Sequence, residues 1–121
     1  MKNIEPSIHR QRLVIEAHYT VAMSREIVKK YLLDLAHELG MTVHPDLKEP
    51  LVTSATGKSN PIHDGYEGIM LWLESGVQIY VWERYHFLTV DIYTCSFFEI
   101  KKAVDFTTHF FALSDMVYQE I

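Results

Sequence analysis

Residues 66–95 carry three apolar stretches with little chain between them. Residues 66–74 are almost continuously apolar (Ile69, Met70, Leu71, Trp72, Leu73). After Ser75 and Gly76, Val77, Ile79 and Val81 alternate with Gln78, Tyr80 and Trp82, and residues 87–95 alternate again. A period of two marks a strand that buries one face, and an unbroken apolar run marks a strand covered on at least one side. Strands this closely spaced predict an antiparallel meander. The turn Gly65-Tyr66-Glu67-Gly68 has neither the further glycine nor the helix start of a phosphate loop, and reads as a strand entry.

The flanks supply the second layer. Residues 12–20 alternate, with Leu13, Ile15, Ala17 and Tyr19 on one side, and predict a further strand. Ser24 is suited to cap a helix over 24–39. That helix carries Ile27, Val28, Tyr31, Leu32, Leu35 and Leu39 on one face, and Gly40 is suited to end it in a left-handed turn. A short strand is expected near residues 51–55 and a loop over 56–61, where glycine and proline fall close together. Ser96 with Glu99 predicts a capping box for a second helix, whose stripe is Ile100, Ala103, Val104, Thr107 and Phe111. Phe97, Phe98, Phe106 and Phe110 widen that stripe, either to complete the core or to form a partner surface. The expected order is β-α-β-β-β-β-α: a single α+β domain over 1–121, a two-layer sandwich of antiparallel sheet with two helices on one face, and residues 1–10 as a loose arm.

Composition narrows the function. The 121 residues hold 11 Lys+Arg against 16 Asp+Glu, a net charge of −5, with no basic cluster, so a nucleic-acid partner is not expected. Neither a membrane span nor a signal peptide is expected, which predicts a cytoplasmic protein. One cysteine excludes an internal disulfide and a multi-cysteine zinc site. The seven histidines show no i, i+4 pair, so no metal site is expected. Cys95 falls at a strand end just before the expected helix cap, where peptide dipoles favour a thiolate, and shares strand parity with Asp91 and Tyr93. A lone cysteine also serves as a small buried apolar residue.

The run Glu74-Ser75-Gly76-Val77-Gln78-Ile79-Tyr80-Val81-Trp82, continued in the same gapless register by Asp91-Ile92-Tyr93-Thr94-Cys95, resembles the short prokaryotic S-adenosylmethionine decarboxylases of polyamine (spermidine) biosynthesis. Their signature reads E-S-H-x-x-I-H-T-W-P-E and then D-x-[FY]-T-C-G. The resemblance implies a proenzyme cut at the Glu74–Ser75 bond. The serine hydroxyl attacks the preceding carbonyl, the ester eliminates, and Ser75 becomes a pyruvoyl group whose ketone serves as electron sink for loss of CO2. It also implies that Cys95 is the proton donor and that two copies form a homodimer with active sites at or near the interface.

Four positions depart from the family pattern. Gly76 replaces the histidine after the serine. Tyr80 replaces the histidine that assists processing, Glu67 the second processing serine, and Arg84 the glutamate that contacts the substrate ribose. A phenol ionising near pH 10 is a poor base at neutral pH, a carboxylate repels a developing oxyanion, and a guanidinium accepts no hydrogen bond from a hydroxyl. The neighbouring Glu83 is expected on the opposite sheet face. Two expectations follow. One is a degenerate homologue that does not self-cleave and acts as a regulatory partner of a decarboxylase or a small-molecule binder. The other is an active pyruvoyl-dependent decarboxylase of S-adenosylmethionine or another amino acid.

Overall fold

The computed structural model describes residues 1–55 and 60–121. Eight main elements follow one another: β1 (Gln11–His18), α1 (Arg25–Glu38), β2 (Leu51–Ala55), β3 (Gly65–Trp72), β4 (Ser75–Trp82), β5 (Phe87–Thr94), α2 (Ile100–Phe111) and β6 (Ser114–Glu120). The strands form one sheet in the order β2-β3-β4-β5-β1-β6, with every neighbouring pair antiparallel. Both helices lie on one face, giving the expected α+β sandwich.

The alternation read from the sequence is the alternation of the sheet. Leu13, Ile15, Val77, Ile79, Val81, Leu88, Val90 and Ile92 are buried toward the helices. From above, Val28, Tyr31, Leu32 and Leu35 of α1 and Ala103, Val104 and Phe111 of α2 close the core. The Ser24 side chain accepts the Ile27 N–H at 3.1 Å, and Gly40 ends α1 at φ 68°. Gly68 lets α1 approach the sheet. A Cβ there would lie 3.0 Å from Ile79 Cγ2 and 3.1 Å from both Leu32 Cδ1 and Val28 Cγ1, so even alanine would require these side chains to give by a few tenths of an ångström. Where the two helices meet, Tyr31 packs against Phe106, Phe110 and Phe111, and its hydroxyl shares a 2.8 Å hydrogen bond with Thr107.

Three features differ from the sequence reading. The sixth strand was not expected, because Met116 is the only residue of Ser114–Glu120 even partly buried and no alternation marks it; backbone pairing to β1 makes it a strand. The capping box at Ser96 and Glu99 does not form. The helix starts at Ile100, Glu99 caps it without a side-chain bond, and the Ser96 carbonyl instead accepts from the Thr94 hydroxyl. The Gln11 side chain explains this. It accepts the Phe98 N–H at 3.1 Å and donates to the Phe98 carbonyl at 3.0 Å, clasping the segment in a non-helical path and seating Phe98 in the core. Of the remaining phenylalanines, Phe106 and Phe110 pack partly against the core, whereas Phe97 is exposed. Glu83, finally, belongs to a short 3-10 turn (Glu83–Tyr85), so strand parity does not place it.

Residues 1–9 form no strand or helix, and the Arg10 guanidinium ties them together through Asn3 Oδ1 and the Glu5 and Ile8 carbonyls. The loop expected over 56–61 lies outside the described residues up to position 59; Asn60 then caps a 3-10 turn over Pro61–His63. No helix among the described residues is long and apolar enough to cross a membrane.

Candidate active site

Trp72 pairs with Ser75, so Leu73 and Glu74 form a two-residue hairpin turn between β3 and β4. Glu74 holds a left-handed φ of 60°, a conformation that favours glycine and costs a non-glycine residue of order 1–3 kcal/mol. Surrounding bonds hold it there: the Leu73 N–H donates to the Thr42 carbonyl at 2.9 Å, and the Cys95 N–H donates to the Glu74 carbonyl at 3.0 Å. That second bond falls on the carbonyl that serine would attack in the resembled family. A backbone donor already aimed at this oxygen is what a developing oxyanion requires.

Ser75 is 7% exposed and pairs with the fully buried Thr94 across β4 and β5. Its hydroxyl lies on the helix side, where its polar contact is the Met41 sulfur at 4.0 Å. Cys95 follows Thr94 by one residue and shares the opposite, open face with Tyr93. The strand-end geometry therefore links Ser75 and Cys95 through the backbone of Glu74, while strand parity sends their side chains to different faces. The expected helix-dipole assistance to Cys95 is absent, because the Gln11 clasp delays α2 to Ile100. Instead the Tyr93 hydroxyl lies 3.4 Å from Cys95 Sγ, and the Arg12 guanidinium sits over the Tyr93 ring, 5.1 Å from its centroid. That hydrogen bond is the main reason the Tyr93 phenol is harder to ionise than a free one.

Glu67 and Tyr80 are direct cross-strand partners on β3 and β4, both on the open face. Tyr80 is five residues along β4 from Ser75, about 16 Å at the rise of an extended strand, so one chain does not bring this pair to the serine. Arg84 lies in the 3-10 turn beyond the far end of β4. On the open face beside Gly76, a cavity of about 560 Å³ lies between Arg12, Val14, Leu71, Gly76, Asp91 and Tyr93 and reaches Ser75. Among the described residues no group of histidines, cysteines and carboxylates is placed to hold a metal ion. Gln11, Arg12 and Met41 escaped the sequence reading. Each acts through a contact between distant segments, and no local pattern signals such a contact.

Known proteins match this geometry at the levels of family and fold. The sequence profile of the S-adenosylmethionine decarboxylase family matches residues 13–121. The S-adenosylmethionine decarboxylase proenzyme of Aeropyrum pernix is 34% identical over 79 residues, 65% of this chain and 52% of that protein. The arginine decarboxylase proenzyme of Hyperthermus butylicus is 34% identical over 70 residues, 58% of this chain and 44% of that one. The chain thus spans about half the length of the curated relatives it matches. The crystal structure of the adenosylmethionine decarboxylase from Aquifex aeolicus superposes with a TM-score of 0.72 at 16% identity, covering 94% of this chain and 89% of that one, and shows the same fold. With its profile matched from β1 through β6 and its hairpin carrying the Glu-Ser pair, the chain belongs to the S-adenosylmethionine decarboxylase family.

Proposed function

We propose that this chain does not cleave itself and acts as a non-catalytic member of the family. In this role it is a regulatory partner of an active decarboxylase of polyamine biosynthesis, or a binder of a small ligand in the cavity beside Gly76. What carries the reading is the surroundings of Ser75. Its hydroxyl has a thioether for its polar neighbour, and the two family processing positions hold a phenol and a carboxylate paired with each other. A general base is worth roughly 10²–10⁴ in rate, so its loss leaves cleavage slow even with the Cys95 N–H on the Glu74 carbonyl.

A second reading is an active pyruvoyl-dependent decarboxylase. It is supported by the left-handed Glu74 and by the Cys95 N–H on its carbonyl, which together fit the scissile position. A pyruvoyl group made from Ser75 would supply the electron sink for loss of CO2. Cys95 would then hold the proton to be delivered, from the open face where the cavity lies. The two relatives are named for S-adenosylmethionine and for arginine, which leaves two substrate classes for this reading.

The homodimer belongs to both readings. Glu67, Tyr80 and the cavity beside Gly76 all lie on the open face of the sheet, and that is the face on which a second copy would stack.

Intact-mass spectrometry after prolonged incubation separates the readings. A single 14.1 kDa species is expected. Fragments split between Glu74 and Ser75, with a ketone on the C-terminal one, overturn the non-catalytic reading. Release of CO2 from S-adenosylmethionine, ornithine or arginine then identifies the substrate.

A further inference from the structure

Tyr93 and Cys95 project from the same face of the β5 end, with the phenol oxygen and the sulfur 3.4 Å apart. The cysteine backbone is fixed independently by the 3.0 Å bond from its N–H to the Glu74 carbonyl. The Tyr93 ring is fixed from the other side. Arg12 is its direct partner across β1 and β5, and the guanidinium covers the ring face. The attraction between the cation and the ring face holds the ring, and with it the phenol oxygen, beside the sulfur. The charged groups around the pair are Arg12 on β1, Arg10 in the arm and Asp91, which shares the Tyr93 face of β5 and lines the same cavity.

We propose that Tyr93 is a positioning residue for Cys95: its hydroxyl, held by the Arg12 stack, aims at the sulfur and stabilises the thiolate left when the thiol gives up its proton. In that step the S–H bond breaks, the proton forms a C–H bond at the substrate carbon that has lost CO2, the electron pair of the S–H bond stays on sulfur, and the Tyr93 O–H donates to the sulfur without transferring its own proton. The hardened ionisation of the Tyr93 phenol accords with this order, since the phenol keeps its proton while the sulfur is charged. The proposal rests on the second reading, in which Cys95 is the proton donor, but the contact between Tyr93 and the thiolate is tested without cleavage.

Cys95 is the only cysteine, so iodoacetamide labels one thiol in the full chain and the rate is read by mass. Alkylation follows the thiolate, and its pH profile reports the thiol's surroundings in a way that a merely structural role would not move. Tyr93→Phe keeps the ring under Arg12. It is expected to move the profile to higher pH and to slow labelling at about pH 7.5 by roughly threefold to tenfold, the range of one lost hydrogen bond. Arg12→Gln is expected to shift the profile the same way by less, with the difference shrinking at about 0.5 M salt. A Tyr93→Phe profile that superimposes on the parent, or moves to lower pH because the thiol was the donor, overturns the proposal. Should Tyr93→Phe fail to fold by circular dichroism, an Arg12→Gln profile identical to the parent overturns it equally. The intact mass of the same samples reports cleavage separately. A shifted profile without cleavage upholds Tyr93 and removes the enzyme reading, and cleavage with an unshifted profile does the reverse.

Discussion

At the scale of single residues, the turn at Glu74 sets backbone strain against position. A left-handed non-glycine residue is retained there although glycine would be easier, and its carbonyl is the one that Cys95 holds. Glu74→Gly is expected to raise stability by about 0.5–1 kcal/mol in urea unfolding, less the extra freedom that glycine gives the unfolded chain. Destabilisation instead would mean that the glutamate side chain contributes more than its backbone costs. The buried tyrosines make a second residue-scale prediction. Burial pushes the Tyr19 phenol up to about 12 and Tyr31 further in the same direction, whereas both ionise near 10 in the unfolded chain. A raised folded-state value means that the stability is fully present below about pH 10 and is lost as pH climbs through 12. Tyr31→Phe should lower stability at neutral pH by about 1 kcal/mol, for the Thr107 hydrogen bond, and should flatten the alkaline decline. Urea midpoints measured across pH 8–12 check both. The residue types that make these effects are legible in the sequence. Their partners are not, because Tyr31 and Thr107 meet only through packing of α1 on α2.

At the scale of elements, the start of α2 shows a tertiary contact overriding a local signal. Ser96 and Glu99 have the spacing of a capping box, but Gln11, 87 residues away from Phe98, makes two hydrogen bonds to its backbone and the helix begins later. Gln11→Ala is expected to destabilise by about 2–3 kcal/mol, since it strands a buried N–H and carbonyl. Ser96→Ala, which would remove a real cap at about 1 kcal/mol, should change stability by less than about 0.5 kcal/mol. Equal losses in the two variants by urea unfolding would refute the clasp. β6 teaches the same lesson. A strand that buries almost nothing leaves no periodicity to read, and its existence is decided by the unpaired edge of β1. β1, β3, β4, β5 and α1 were legible because each buries one regular face.

At the scale of the whole molecule, the sheet has helices on one side only. A chain of this mass should fold to about 6,700 Å² of accessible surface, and the observed 7409 Å² exceeds that. Part of the open face is apolar: Ile69 and Leu71 are 39% and 46% exposed beside the cavity, with Leu51 and Val117 toward the sheet edges. This is the face on which the proposed second copy stacks. Ile69→Asp with Leu71→Asp is expected to convert a dimer to a monomer in light scattering while leaving the far-ultraviolet dichroism unchanged. A wild-type protein that is monomeric at micromolar concentration counts against the stacking.

The sequence by itself determined the fold class, the family and the positions of Ser75 and Cys95, because alternation and a gapless motif are local properties that survive without coordinates. Only the tertiary structure decided how the site is assembled. It showed that the two side chains take opposite faces, that the Glu74 carbonyl joins them through the Cys95 N–H, and that Tyr93 under Arg12 reaches the sulfur. Glu67 and Tyr80 proved to be each other's partners instead of neighbours of the serine. Such relations depend on strand register and on contacts between segments far apart in the chain, and no pattern along one segment encodes a distance to another.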